Sequence, residues 1–225
     1  MNNNLKEQKH TLEQGAVILL VTAILVKITG ALFKIPLSSS FCLGDLGFGY
    51  FSAAYDLINP FTILSISGLP VAVSKLVAEN NDDENKELNK IFFISRKLFL
   101  WFGIIAVLVS LALAFPFVNA TDSSGSSIYC FLAIIPSFLF YCVLAAYRGY
   151  FEGVTNMTPP AISSLIEALS KLILGFSFAF VTVKITNNPL LAATAALIGI
   201  TLGTVFSTIY LHSRFKSFYM SYGKG

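Results

Sequence analysis

Residues 98–118 are twenty-one consecutive positions without one Asp, Glu, Lys, Arg or His. A helix rises about 1.5 Å per residue, so about twenty apolar residues match the ~30 Å hydrocarbon core of a bilayer. Residues 128–147 and 189–211 repeat the pattern, equally free of charge. Three further runs, 15–37, 48–78 and 159–183, are as long but carry isolated charges and prolines. Lipid offers no hydrogen bonds to a bare backbone, so spanning runs of this kind must be helical. The sequence therefore predicts an all-α polytopic membrane protein, a six-transmembrane-helix bundle. Composition agrees: 55% of residues are hydrophobic and 12% charged, against about a quarter charged in soluble domains. That balance excludes a soluble globular domain, a disordered chain and a disulfide scaffold. A net charge of +3 without a basic cluster leaves no footprint for nucleic acid.

Lys and Arg set the expected orientation, because cytoplasmic loops of membrane proteins are enriched in both. Six spans put the N-terminus, the 79–97 and 148–158 connections and the C-terminus on one side. With their flanks these hold eleven such residues: Lys6, Lys9, Lys75, Lys86, Lys90, Arg96, Lys97, Arg148, Arg214, Lys216 and Lys224. The other side holds two, Lys34 and Lys184. The expected organisation is a cytoplasmic segment 1–14, a transmembrane lobe 15–212 and a cytoplasmic segment 213–225, in the cell membrane with both termini inside. Lys6 and Lys9 ahead of the apolar run 16–26 imitate a secretory signal, but Glu7 and Glu13 share the leader and apolar character resumes after Lys27. The run reads as an uncleaved first helix. The polar stretch 79–90 reads as a solvated loop.

Several chemistries find no residues to carry them. There is no G-x-x-x-x-G-K-[ST] pattern, hence no P-loop for ATP. Cys130 and Cys142 would stand about 18 Å apart on one helix, too far to pair, and three free thiols are expected rather than a Cys42–Cys130 bridge. His10 and His212 lie far apart without ligand spacing around them, so neither metal nor cofactor is expected. No catalytic constellation is visible either.

Function is therefore sought in the charges inside the spans. An ionisable residue at the bilayer centre costs about 2.5–3.5 kcal/mol on insertion scales, so it faces a polar cavity or a partner. Lys34 lies near the outer end of the first span, where its stem can reach the headgroups. Lys27 sits about 18 Å inside the cytoplasmic boundary, too deep to do so. Lys171 has a similar depth in the fifth span, and Glu167 precedes it by four residues on the same face, a spacing that permits a local ion pair. Asp56 in the second span completes a possible midplane cluster of Lys27, Asp56, Glu167 and Lys171. Two lysines in a wet cavity suit an anionic headgroup, so Lys27, Lys171 and Glu167 are the candidate substrate-binding residues. Asp56 and Glu167 are candidates for ion coupling. Pro60, Gly68 and Pro70 interrupt the second span and mark a hinge. Ala195, Gly199, Gly203 and Ser207 form a small-residue stripe for close helix approach. Thr158, followed by Pro159 and Pro160, suits a helix start.

Three segments carry a resemblance. They are Lys27-Ile-Thr-Gly-Ala-Leu-Phe-Lys-Ile-Pro-Leu, Gly68-Leu-Pro-Val-Ala-Val-Ser-Lys-Leu-Val-Ala-Glu and Arg148-Gly-Tyr-Phe-Glu-Gly-Val-Thr-Asn-Met-Thr-Pro-Pro-Ala-Ile-Ser-Ser-Leu-Ile-Glu-Ala-Leu-Ser-Lys. In order and spacing the chain resembles the stage V sporulation protein B and polysaccharide biosynthesis branch of the multidrug/oligosaccharidyl-lipid/polysaccharide flippase superfamily, over nearly its whole length. The resemblance implies flipping of lipid-linked oligosaccharide or peptidoglycan precursors by alternating access between two six-helix lobes. It places Lys27 at the cationic position ahead of Gly30 in the first helix, and Glu167 and Lys171 in the charged stretch of the fifth. Asp56 departs from the pattern. Only one lobe is present, which implies a second one, from the same gene product or a second copy. The expected function is thus a flippase for polyprenyl-diphosphate-linked saccharides, with the lipid-linked saccharide and membrane lipid as partners and no cofactor. Two alternatives stay open: a cation-coupled multidrug and toxin extrusion-type antiporter, and a non-transporting scaffold for envelope or spore-coat assembly that docks through the 195–207 stripe.

Overall fold

The computed structural model describes residues 12–39, 41–63, 68–80, 85–121 and 127–222. Among them every regular element is helical. The first apolar run forms α1 (Leu12–Leu37) and the third forms α4 (Asn85–Thr121). The fourth divides into α5 (Ile128–Ile134) and α6 (Ser137–Gly153), because Pro136 lies between them and has no N–H to continue the ladder. The fifth forms α7 (Thr158–Ser170), one π-helical turn (Lys171–Gly175) and α8 (Phe176–Thr186). The sixth forms α9 (Pro189–Tyr222).

Five of these stretches are long and apolar enough to cross a membrane: Glu13–Leu37, Lys90–Pro116, Ile128–Gly153, Thr158–Thr186 and Pro189–Phe218. The chain is a multi-pass membrane protein. The expected sixth crossing, 48–78, is not among the five. That run is divided between α2 (Gly44–Ile63) and α3 (Leu69–Glu79), and residues 64–67 lie outside the described set. Pro70 sits in the first turn of α3, where its missing N–H leaves no bond unmade, and Gly68 flanks that start. Gly68 itself has helical backbone angles (φ −72°, ψ −61°), and Pro60 lies inside α2, which continues past it to Ile63.

Two helices outrun the hydropathy pattern. The expected loop 79–90 ends in helix, since α4 begins at Asn85, and α9 passes residue 212 without a break. Hydropathy reports where lipid contact ends; backbone hydrogen bonding continues beyond it. Thr158 is the first residue of α7 rather than its cap, with Met157 flanking and Pro159 and Pro160 buried in the first turn.

The spans through α5–α6 and α9 are the most buried, and α1, α4 and α7–α8 surround them. One apolar core joins the end of α1, α2, α5, the start of α6 and the first third of α9 through Phe33, Phe51, Phe131, Phe138 and Leu197. A second occupies the other end, where Phe92 of α4 stacks on Phe215 of α9 at 3.9 Å and meets Tyr147 and Tyr150 of α6. Small residues let the central helices approach. A Cβ on Gly149 would stand 2.6 Å from the Pro70 carbonyl oxygen, and one on Gly153 2.5 Å from Val77, which fixes α6 against α3. Outward, Leu20, Ile24, Ile28, Trp101, Phe102, Ile105 and Leu108 are exposed, a surface suited to lipid and costly in water.

Candidate functional site

A cavity of about 450 Å³ opens between α1, the end of α6 and α7. Lys27 and Gly30 line it from α1, Arg148 and Glu152 from α6, and Ser164, Glu167 and Lys171 from α7 and the π turn. The spacing explains the convergence: Thr22, Val26 and Gly30 recur every four residues on one face of α1, as Ser164, Glu167, Ala168 and Lys171 do at three- and four-residue steps on α7. Lys27, Glu167 and Lys171, singled out from sequence for substrate binding, therefore border one space.

Their pairing differs from the expected one. Glu167 does not pair with Lys171; its Oε2 accepts from Arg148 Nη2 at 3.0 Å and its Oε1 from the Tyr141 hydroxyl at 2.9 Å. Arg148 also donates from Nε to Ser163 Oγ at 3.2 Å. The pair is almost closed to solvent, with side-chain exposures of 3% and 9%, and a charge buried that deeply needs a geometrically matched partner. Arg148 supplies a planar fork from the neighbouring helix, whereas Lys171 on the same helix offers one donor on a flexible stem.

Lys171 turns instead to α2. Its Nζ lies 3.4 Å from the Tyr55 hydroxyl and 5.5 Å from the centre of that ring. The π turn begins at Lys171 and is packed by Gly199 of α9, whose Cα faces Gly175 so closely that a Cβ there would stand 2.5 Å from it. Single π turns inside α-helices are often found at functional sites. Lys34, expected to reach the headgroups, holds its Nζ 4.9 Å from the same Tyr55 ring. Among the described residues Lys27, Lys34 and Lys171 form no ion pair. Asp56 is exposed and does not border the cavity, so the expected four-charge cluster reduces to Lys27, Glu167 and Lys171.

Four residues of the site escaped the sequence reading: Arg148, Glu152, Tyr141 and Tyr55. Arg148 was expected in a cytoplasmic connection, but it lies inside α6 and is buried. The signal for it was present in the Arg148 to Glu152 spacing of four, which places both on one helical face. Tyr141 and Tyr55 are aromatic residues among many and carry no such mark. The small-residue stripe of α9 faces its own bundle: Ser207 Oγ donates to the Ser163 carbonyl at 2.8 Å, and a Cβ on Gly203 would meet Ser170 at 3.2 Å. The three cysteines are free and buried. No group of three metal-ligating side chains occurs among the described residues.

A family model described as "Polysaccharide biosynthesis protein" matches residues 12–222. The chain belongs to that family. Similar proteins come from Bacillus subtilis (strain 168). The uncharacterized membrane protein YabM is 29% identical over 213 residues, which cover 94% of this chain and 38% of that one. The lipid II flippase MurJ is 28% identical over 216 residues, 89% of this chain and 39% of MurJ. Stage V sporulation protein B is 26% identical over 209 residues, 92% and 40% of the two chains. The chain spans about two fifths of the length of these relatives. No solved structure matches it significantly.

Proposed function

We propose that the chain is the cavity-bearing lobe of a membrane flippase for lipid-linked saccharides, with Lys27 and Lys171 as the cationic receptors for a diphosphate headgroup. The observation that carries this reading is the division of charge in the cavity: Glu167 is held by Arg148, Glu152 is the further carboxylate of the lining, and Lys27 and Lys171 form no ion pair among the described residues. A diphosphate would receive charge-assisted hydrogen bonds from both. Lipid and a low-dielectric wall leave such charges poorly screened, which strengthens the attraction. The family membership and the flippase name of one relative agree with it.

Binding is the step to measure first. The chain in detergent should bind a polyprenyl-diphosphate-linked saccharide, and Lys27→Met with Lys171→Met should weaken binding by at least about tenfold, the equivalent of one charge-assisted bond. Equal affinity in the double variant at wild-type thermal stability would overturn the assignment. Transport is a separate matter, because rocking one bundle against another needs an opposing wall. A second lobe or a second copy of this chain is proposed for that role, and the monomer alone should not flip lipid in vesicles. The antiporter reading is disfavoured by two free ammoniums, which repel a cation. The scaffold reading loses its surface, since the α9 stripe is covered by α7 and the π turn.

We propose that both termini are cytoplasmic, on the Lys and Arg distribution. Setting aside buried Arg148 leaves ten residues against two. Single cysteines at exposed positions of 79–90 and beyond 214 should be labelled only from the cytoplasm, in a background without the three native thiols. Labelling of 79–90 from outside would reverse the orientation.

A further inference from the structure

We propose a second anion subsite at the junction of Lys34, Tyr55 and Lys171, beyond the far wall of the cavity; this rests on the cavity reading above and extends it. Lys34 and Lys171 come from α1 and the π turn, and both direct their ammoniums to one aromatic ring, at 4.9 and 5.5 Å from its centre. The two charges therefore lie within about 10 Å of each other, roughly the Debye length at 0.1 M salt, Lys34 on the exposed side of the ring and Lys171 half-buried. Neither has a carboxylate partner among the described residues. Like charges gathered in this way repel, and Glu167 across the cavity, itself held by Arg148, and the face of Tyr55 offset this only in part. A diphosphate lying beside the ring is long enough to accept one charge-assisted hydrogen bond from each lysine, and the Tyr55 hydroxyl, now 3.4 Å from Lys171 Nζ, would offer a further donor.

The arrangement also gives an order. Lys27 and Lys34 are seven residues apart, two helical turns on one face of α1. Lys171 belongs to both places, bordering the cavity and touching Tyr55. Lys27, Lys171 and Lys34 thus make a series of ammoniums without an ion pair among the described residues, with Lys171 in the middle able to donate to an anion on either side through its three N–H groups.

The test is titration calorimetry on the full chain in detergent with two probes, inorganic pyrophosphate and farnesyl diphosphate, each against wild type, Lys27→Met, Lys34→Met and Tyr55→Phe. Two binding events are expected in wild type. Lys34→Met should remove one and leave the other within about threefold; Lys27→Met should do the converse; Tyr55→Phe, which keeps the ring, should weaken the Lys34-dependent event several-fold. Occupation by pyrophosphate identifies a free phosphate site, and occupation by farnesyl diphosphate alone a lipid headgroup site. Lys34→Gln replaces Lys34→Met if that variant unfolds. One event, abolished by Lys27→Met and indifferent to Lys34→Met, overturns the junction and leaves the cavity reading standing. Indifference to both substitutions, or no binding of either probe, overturns both.

Discussion

Glu167→Gln should destabilise the chain by about 3–5 kcal/mol, the cost of leaving one member of a buried ion pair without the other. Arg148 is then a cation with 3% side-chain exposure whose fork faces a neutral amide. Ser163 Oγ remains on Nε, but it is a neutral hydroxyl that also donates to the Pro160 carbonyl at 2.7 Å. The expected readout is a large fall in thermal unfolding temperature in detergent and reduced membrane levels. The double variant Arg148→Met, Glu167→Gln should recover most of the loss, because the buried charge is gone while the glutamine oxygen still accepts from Tyr141. Substituting Lys171 instead should leave folding nearly unchanged, since its hydrogen bond is to the Tyr55 hydroxyl at a long 3.4 Å. If Glu167→Gln behaves like wild type and Lys171→Met unfolds the chain, the local Glu167–Lys171 pair is the real one and the network around Arg148 is wrong.

That reversal of partners shows which parts of the site were legible in the sequence. Position along a span was legible: an apolar run of about twenty residues leaves little choice of structure, and Lys27, Glu167 and Lys171, which lie well inside such runs, all border one cavity. Pairing between helices was not. The four-residue step from Glu167 to Lys171 is a rule about one helix, and it says nothing of an arginine nineteen residues earlier that the α6–α7 turn brings alongside. Arg148 was assigned to a loop because hydropathy places the boundary where charge resumes, although α6 continues to Gly153. The second span shows the same limit. Its prolines were visible, but which one ends a helix depends on whether the lost N–H was needed: Pro70 begins α3 and Pro60 lies within α2. Asp56 could be placed in a span from sequence, but only the structure shows it exposed and outside the cavity lining. The small-residue stripe was read correctly as a surface for close approach, and only its neighbour had to come from the structure.

That stripe gives the other large expected effect. Gly199→Ala should destabilise the chain by about 1–3 kcal/mol or more, the usual range for overpacking, because nothing near the new methyl group is free to move. Its Cβ would stand 2.5 Å from both Cα and N of Gly175 and 2.8 Å from the Leu174 carbonyl carbon, all of them backbone atoms of the π turn. Gly175 has little room to retreat: a Cβ on it would already lie 3.0 Å from the Phe33 ring and 3.3 Å from the Ala196 oxygen. Gly203→Ala, one turn along the same face, would bring its Cβ to 3.2 Å from Ser170 Cβ and 3.3 Å from the Glu167 oxygen, a contact that a shift of a few tenths of an ångström relieves. The two variants differ by the same single methyl group, so thermal unfolding of both isolates the geometry of the π turn from helix propensity, which favours alanine at each position. Lys171 is the first residue of that turn, and displacing it should also cost anion affinity in Gly199→Ala beyond any loss in Gly203→Ala. Equal stability of the two variants would mean that α9 does not set the π turn, and the link from helix packing to the position of Lys171 would fall with it.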